Sequence, residues 1–204
     1  AGVLMNFVLS SIIFSFFIFN DGYPEAIDLP IVNEVTQELS LKENVTNSPA
    51  YNIGLQKDDK IISIDNVNIN TWSELSKVIQ NNPDNEINIS WKRDNQILTS
   101  TIRPISAKQF VDGEIQDIGI IGISPQYNII DVSIFSAIFR GTERTFFLIK
   151  QIGYSLRALF SGQVSMGDFF GPLYLVKIAG ETAQTSIKSL FLLTAMISVN
   201  LGLI

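Results

Sequence analysis

The chain has 204 residues, of which 46% are hydrophobic and 17% are charged, and its formal net charge is −6. This acidic balance argues against a nucleic-acid partner, because contacts to phosphates need Lys and Arg. The chain contains neither Cys nor His, which excludes a disulfide, a thiol nucleophile and the commonest zinc ligands within these residues.

The charged residues are unevenly distributed along the chain. Residues 1–20 and 189–204 carry no charge, whereas most of the acidic residues lie in residues 21–117. This distribution is typical of a membrane protein with an aqueous domain inserted between membrane spans.

Residues 1–20 are predicted to form a transmembrane helix. The uncharged stretch 2–19 would cover about 27 Å as a helix, close to the roughly 30 Å hydrocarbon core of a bilayer. A signal peptide and a buried helix of a soluble protein are the alternatives. The stretch lacks the basic n-region and the small-residue cleavage site of a signal peptide, which favours the membrane span.

Residues 28–106 are predicted to form a small α/β domain. Alternating apolar residues indicate strands, a Ser-Pro-Ala start and an apolar face with helical spacing indicate two helices, and Asp94-Asn95 indicates a hairpin turn. The predicted elements are a strand at 30–35, a helix at 48–55, a strand at 59–66, a helix at 70–82 and a hairpin at 86–104.

This order of elements resembles a PDZ domain of the circularly permuted bacterial type. The residues that carry the resemblance are Ser48-Pro49-Ala50, Gly54-Leu55, Asp58-Asp59-Lys60-Ile61 and the turn at Asp65-Asn66. Asp58 stands where that group has Gly, and Asn66-Val67 stands where Asn-Gly or Asp-Gly is usual. Asp and Asn tolerate a left-handed backbone better than other non-Gly residues, so the turns are expected to survive with some strain.

A PDZ domain binds an extended peptide as an added strand between a sheet edge and a helix. Here the helix would be 71–81, and its inward residues Leu75, Val78 and Ile79 are candidates either for the groove or for the core. Residues 107–131 are predicted as a strand and connector, in which 117–125 is a candidate to complete the fold.

Residues 132–185 are predicted to form amphipathic, interfacial helices. The charged residues of 132–160 fall within one arc of about 140° on a helix of 100° per residue. Such a helix either lies flat at the membrane interface or packs against another helix. The charges are Arg140, Glu143, Arg144, Lys150 and Arg157.

The last segment, 186–204, is predicted to be a truncated transmembrane helix. It holds Asn200, as the first span holds Asn6. These amides either hydrogen-bond between helices, worth roughly 0.6–2 kcal/mol, or mark a functional site within the bilayer. The residues alone leave both interpretations open.

The complete pattern resembles the site-2 protease family of intramembrane zinc metalloproteases, and most closely the bacterial, sigma-E-regulating type. Family members usually have Pro where this chain has Val3. The matching residues are Ala1-Gly2 with Asn6, Gly171-Pro172, Ala179-Gly180 and Ser198-Val199-Asn200-Leu201-Gly202.

The resemblance implies a zinc cofactor whose ligands lie outside this segment, in a His-Glu-x-x-His motif before it and a Leu-Asp-Gly motif after it. We therefore expect a fragment that is inactive alone, with no catalytic or metal-binding residue of its own, from an intramembrane zinc metalloendopeptidase. Asn6 and Asn200 are the expected substrate-binding residues within the spans, beside Leu75, Val78 and Ile79 in the PDZ helix.

The resemblance also implies a location and partners. The protein would be a multi-pass protein of the bacterial inner membrane, with a periplasmic PDZ domain that docks or gates the substrate during regulated intramembrane proteolysis. The expected partners are a transmembrane, anti-sigma-factor-like substrate, a peptide at the PDZ groove and the lipid bilayer. The alternative is a non-catalytic, membrane-tethered PDZ adaptor or secretion component. The predicted fold class is an α/β PDZ domain flanked by transmembrane and interfacial α-helices.

Overall fold

The computed structural model describes residues 2–41, 44–111, 114–160 and 186–203. The chain divides into two compact units, one formed by Ala1–Pro24 with Ile129–Ile204 and the other by Glu25–Asn128. The helices are α1 (Gly2–Asp21), α2 (Pro49–Asn52), α3 (Trp72–Gln80), α4 (Ile134–Phe160) and α5 (Ile187–Leu203). The strands are β1 (Tyr23–Ala26), β2 (Val32–Val35), β3 (Glu38–Leu41), β4 (Asn44–Asn47), β5 (Lys60–Ile64), β6 (Val67–Asn68), β7 (Ile87–Arg93), β8 (Gln96–Ile102), β9 (Ile105–Val111), β10 (Glu114–Ile120), β11 (Ile123–Pro125) and β12 (Tyr127–Ile130).

The first unit is helical and contains α1, α4 and α5. Within the described part of the chain, α1 is the one helix that is long and apolar enough to cross a membrane. Helix α5 is also apolar, with Lys188 as its one charged residue, but it has 17 residues, short of the roughly 20 that a span needs. The predicted spans at both ends are thus helices.

Helix α4 has 27 residues and packs along α1 in the antiparallel direction. Ser11 contacts Thr145 near the middle of the pair, and Gly141 lies against Ser15 one turn away. Of the two arrangements that the charge pattern allowed, the structure shows packing against another helix. The placement of α4 relative to a membrane surface stays a prediction.

The second unit is built on a four-stranded antiparallel sheet with the order β6-β5-β7-β8. The predicted hairpin is confirmed: β7 and β8 pair from Ile87↔Ile102 to Arg93↔Gln96 around a turn in which Asp94 has φ 51°. Ile87, Ile89 and Trp91 alternate along β7 and all point into the core, because successive side chains of a strand lie on opposite faces.

The two helices of this unit begin where the sequence predicts. Ser48 caps α2, with its hydroxyl accepting a hydrogen bond from the Tyr51 amide, and Pro49 follows at the first helical position. Thr71 and Glu74 form a reciprocal capping box at the start of α3. The helices therefore start at fixed positions against the sheet.

The turns that depart from the usual PDZ pattern adopt the left-handed backbone that was expected of them. Asp58 has φ 69°, Asp65 φ 47° and Asn66 φ 65°. This conformation is strained for residues other than Gly, and the strain is smallest for Asp and Asn. The strain is compensated locally, because the Asp65 carboxylate accepts a hydrogen bond from the Asn88 amide across the sheet.

Besides this sheet, three strand pairs lie wholly within the described part of the second unit. Strand β11 pairs with β2 through Ile123↔Val35, β3 pairs with β4, and β9 pairs with β10 over seven positions. The predicted strand and connector at 107–131 is thus a hairpin followed by two short strands. The sheet order by itself does not identify a circular permutation.

Candidate functional site

Asn6 lies on α1, on the stripe of that helix that faces α5. Ser10, one turn further along, is fully buried and its hydroxyl donates to the Asn6 carbonyl at 2.9 Å and to the Ala195 carbonyl at 2.8 Å. The Asn6 side chain itself is half-buried. It therefore lies at the boundary between the helix pair and its surroundings, where a polar amide can reach another molecule.

The contacts between α1 and α5 run in order from one end to the other and define an antiparallel pair. The Asp21 carboxylate and the Lys188 ammonium lie 2.6 Å apart at one end. The rings of Phe17 and Phe191 meet at 6.3 Å. At the other end Gly202 packs against a ring, and a Cβ added to it would lie 2.6 Å from Cε1 of Phe7.

Asn200 lies at nearly the same level of this pair as Asn6. Gly202 packs against Phe7, which directly follows Asn6 on α1. Asn200 lies two residues before Gly202 on α5. At about 1.5 Å of rise per residue, the two asparagines are separated by roughly one turn along the axis. Asn200 is half-buried and lies 100° around α5 from the buried Val199. The structure thus places the amides within about one helical turn of each other along the pair, and no hydrogen bond joins them within the described residues.

An apolar groove of about 920 Å³ runs along the surface between α1 and α4. Its floor carries the hydroxyl groups of Ser11 and Thr145, which hydrogen-bond to each other at 3.1 Å. Its walls are apolar side chains such as Ile12, Phe16 and Phe146. The groove offers a surface to hydrocarbon or to an apolar helix but carries no charged group for chemistry.

The charged stripe of α4 is mostly exposed. Arg140 is the exception: it is half-buried, with its guanidinium carbon 3.9 Å from the centre of the Tyr23 ring. Arg144 lies 5.2 Å from the Phe14 ring. Both distances suit cation–π attraction, so these two arginines are tied to aromatic side chains of the same unit.

No three acidic side chains in the described part of the chain come together in a way that could hold a metal ion. The complete sequence offers no His and no Cys. The residues present do not fit a catalytic zinc site, for which His is the usual ligand. The Gly171-Pro172 and Ala179-Gly180 motifs lie outside the described residues.

In the second unit, the predicted groove residues of α3 divide into two kinds. Leu75 is 0% and Ile79 5% exposed, and both belong to the central hydrophobic cluster, while Val78 and Trp72 are partly buried against it. A peptide can touch Val78 without disturbing the fold. Leu75 and Ile79 would reach a peptide only if the core opened, and their role in substrate binding stays a prediction.

Strand β11 lies within 117–125, the candidate stretch to complete the fold, and it presents a sheet edge. It pairs with β2 on one side, and within the described residues no strand pairs with its other side. The segment before it passes close to α3, because a Cβ on Gly119 would collide with the Ile79 carbonyl and lie 2.9 Å from the Pro104 side chain. The Gly-Ile-Ile-Gly-Ile run at 119–123 is the sequence signal for this close approach, since Gly permits it.

A buried ion pair fixes the loop between α2 and β5. The Asp59 carboxylate is fully buried and accepts hydrogen bonds from both Nε and Nη2 of Arg93 at 2.7 Å. It also accepts from the Gln56 amide at 2.8 Å. The carboxylate raises the pKa of the Arg93 guanidinium, chiefly through these hydrogen bonds. Sequence reasoning missed this pair because its members are far apart in the chain.

Curated relatives match almost the whole chain. It is 30% identical over 204 residues to zinc metalloprotease RasP of Geobacillus kaustophilus, covering 100% of this chain and 44% of that protein. It is 28% identical to the regulator of sigma-W protease RasP of Bacillus subtilis, with the same shares. It is 31% identical over 171 residues to the regulator of sigma-E protease RseP of Escherichia coli, covering 79% of this chain and 37% of that protein. The chain thus spans less than half the length of these relatives.

Two solved structures with partial similarity are PDZ domains of SdrC-like proteins. The domain from Listeria monocytogenes is 19% identical, with a TM-score of 0.34, over 50% of this chain and 90% of that one. The domain from Listeria innocua is 22% identical, with a TM-score of 0.30, over 45% of this chain and 93% of that one.

The match to a protein family extends over the complete sequence. The sequence pattern of peptidase family M50 fits residues 1–204, and both units therefore lie within it. The chain belongs to peptidase family M50, the site-2 protease family.

Proposed function

We propose that this chain is a segment of a membrane-embedded zinc metalloprotease that performs regulated intramembrane proteolysis. The observation that carries the proposal is the family match over residues 1–204. Relatives named as zinc metalloproteases support it, as does an apolar helix long enough to span a bilayer at the start of the chain.

The zinc ion of this protease would be held by residues outside the present segment. Zinc supplies Lewis acidity and an activated water for peptide hydrolysis. The 204 residues contribute the surroundings of the reaction: helices that hold the substrate, exclude lipid and water, and position polar groups.

Asn6 and Asn200 are the groups that we propose to contact the substrate within the bilayer. An amide side chain offers two N–H donors and one acceptor oxygen, which is the set that a stretch of unwound peptide backbone requires. Their positions on α1 and α5, within roughly one turn of each other, support a role on the same stretch of substrate. The unwound backbone needs such partners in an apolar environment, because each N–H or C=O group without a hydrogen bond there costs roughly several kcal/mol.

The second unit is proposed to be a circularly permuted PDZ domain on the periplasmic side of the bacterial inner membrane. A peptide would add as a strand to the unpaired edge of β11, beside α3, with Val78 as the accessible apolar contact. Such binding would dock the substrate, or keep unsuitable substrates away from the membrane-embedded helices.

The proposed substrate is a transmembrane protein similar to an anti-sigma factor. The names of the relatives, regulators of sigma-W and of sigma-E, support this class.

The short apolar helix α5 would be a further membrane segment of a multi-pass protein.

The test is to purify the full-length protein from membranes, measure its zinc content, and follow cleavage of a transmembrane reporter before and after chelation. We expect one zinc per chain and cleavage that chelation abolishes and added zinc restores. Residues 1–204 alone are expected to bind no stoichiometric zinc and to cleave nothing. A full-length protein that carries no zinc but still captures peptides would instead support a membrane-tethered adaptor.

A further inference from the structure

We infer that Ser10 is a positioning residue, whose buried hydroxyl fixes the register between α1 and α5 and with it the spacing of Asn6 and Asn200. The role of the two asparagines rests on the proposed function. The contact between the helices does not, so it can be tested separately.

The Ser10 hydroxyl is placed between the backbones of two helices. It is 0% exposed, and its Oγ lies 2.9 Å from the Asn6 carbonyl oxygen and 2.8 Å from the Ala195 carbonyl oxygen. A hydroxyl has one hydrogen, which these two acceptors share. The first acceptor belongs to Asn6 itself, and the second lies little more than one turn before Asn200.

Other hydroxyl groups of α1 make different contacts. Ser15 donates to the Ser11 carbonyl within its own helix at 2.6 Å, and Ser11 donates to Thr145 on α4. In the part of the chain that the structure describes, Ser10 is the one α1 hydroxyl that bonds to α5. Ser15 therefore provides a matched control on the same helix.

The remaining contacts of the pair are less directional than this hydrogen bond. Asp21 and Lys188 are partly exposed, and an exposed ion pair with a long flexible side chain contributes little to a fixed geometry. The Phe17–Phe191 contact is apolar and tolerates sliding. A shift of α5 along α1 would break the bond to the Ala195 carbonyl and would also move Gly202 away from the Phe7 ring. The hydrogen bond is the directional contact of the two, so its loss should weaken the preference for one register.

Disulfide cross-linking measures the register directly. The 204 residues contain no Cys, so cysteine pairs can be introduced into the full-length protein in its membranes, after replacement of any cysteine elsewhere. Phe17→Cys with Phe191→Cys reports the observed register, and Ile13→Cys with Phe191→Cys reports a slip of one turn.

Ser10→Ala should lower the ratio of in-register to slipped cross-linking about threefold, the factor that a typical interhelical hydrogen bond in a membrane represents. Ser15→Ala should leave the ratio unchanged. An unchanged ratio in Ser10→Ala, or an equal fall in Ser15→Ala, overturns the inference. If Ser10→Ala does not accumulate in membranes, Ser10→Thr decides: it keeps the hydroxyl and should retain the parental ratio, and a threefold fall would overturn the inference.

Cleavage of the transmembrane reporter then tests the link to the asparagines. Ser10→Ala should lower kcat in proportion to the in-register fraction that cross-linking measures, by at most about threefold, with KM unchanged, because a shifted register misplaces a bound substrate. Ser10→Thr should keep the parental kcat. Parental kcat in a variant whose cross-linking has shifted would overturn the positioning role. If the parental protein cleaves nothing, the proposed function fails, and cross-linking alone still decides the register.

Discussion

The carboxylate of Asp59 and the guanidinium of Arg93 meet in a two-point contact at 2.7 Å, with Asp59 fully buried. Arg93 also donates through Nη2 to the Gly54 carbonyl at 2.6 Å. This single side chain thus ties the end of the Ser-Pro-Ala helix region to the end of β7. The pair holds the loop that precedes β5, and β5 lies within the sheet.

Replacing Arg93 by Ala should destabilise the second unit by about 3 kcal/mol, the lower end of the cost of leaving one member of a buried pair without its partner. The lower end applies because the Arg93 side chain is 28% exposed. Chemical unfolding of residues 25–128 measures the loss. Arg103→Ala is the control, since this exposed arginine donates to the Asp84 backbone carbonyl and not to a carboxylate among the described residues, and should cost under about 1 kcal/mol.

The pH dependence of this loss follows from the direction of the pKa shift. The pKa of Arg93 is raised in the folded state, so its contribution is fully present below the ordinary guanidinium pKa and is lost only as the pH rises through the folded value. The difference in unfolding free energy between parent and Arg93→Ala should therefore be constant from about pH 6 to about pH 9. A steady decline across that window would show that another group controls the loop.

Two glycines on α4 should respond oppositely to the same substitution. A Cβ on Gly141 would lie 2.6 Å from the Ser15 backbone nitrogen, whereas a Cβ on Gly153 meets nothing within 4 Å. Gly141→Ala should destabilise the helical unit by about 1–3 kcal/mol through overpacking. Gly153→Ala should stabilise α4 by up to about 1 kcal/mol. Thermal unfolding of the full-length protein in detergent gives both values, and equal effects would contradict the close packing of α1 on α4.

The second unit should bind peptides with hydrophobic C-termini at β11 and α3. NMR titration of residues 25–128 is expected to shift the amides of Ile123, Ser124 and Val78 first. Val78→Ser should weaken binding by roughly tenfold, because the contact buries about one apolar side chain. Val67→Ser, at a residue that is 63% exposed, is the control and should bind as the parent does. Shifts scattered away from α3 and β11, or none at millimolar peptide, would count against the site.

Asn200→Ala should slow proteolysis without removing the metal. The expected loss of kcat is about 10-fold, since an amide that supports the unwound substrate backbone contributes roughly 1–2 kcal/mol. Zinc content should equal that of the parent, because Asn200 is not a ligand. Thr194→Ala is the matched control on α5, as its exposed hydroxyl donates to the Leu190 carbonyl of its own helix. Cleavage by Asn200→Ala at the parental rate would remove Asn200 from the site.

Local signals in the sequence were sufficient for the elements that carry their own start and stop residues. Helix α3 has a capping box, an apolar face and a terminating Pro83, and β7 and β8 alternate around a turn. Strands β3 and β4 were not predicted. The region of β9 and β10 was predicted as a strand and connector, but their pairing as a hairpin was not, although Asp112-Gly113 between them in the sequence is a strong hairpin signal.

The arrangement of the candidate sites depends on contacts between distant residues, which no local pattern contains. Ser10 and Ala195 are far apart in the chain, as are Asp59 and Arg93. The amphipathic face of helix α3 predicted the positions of Leu75, Val78 and Ile79, but that face serves both a core and a groove. Only the packed structure shows that Leu75 and Ile79 are core residues.

The most direct measurement of the central claim is the position at which the full-length protein cuts a transmembrane substrate. The purified protein and an anti-sigma-factor-like reporter would be reconstituted in lipid vesicles, and the products would be identified by mass spectrometry. Our account predicts zinc-dependent fragments whose new ends lie within the apolar, membrane-spanning segment of the reporter. Fragments cut only in the aqueous part of the reporter, or an intact reporter with zinc-loaded protein present, would contradict it.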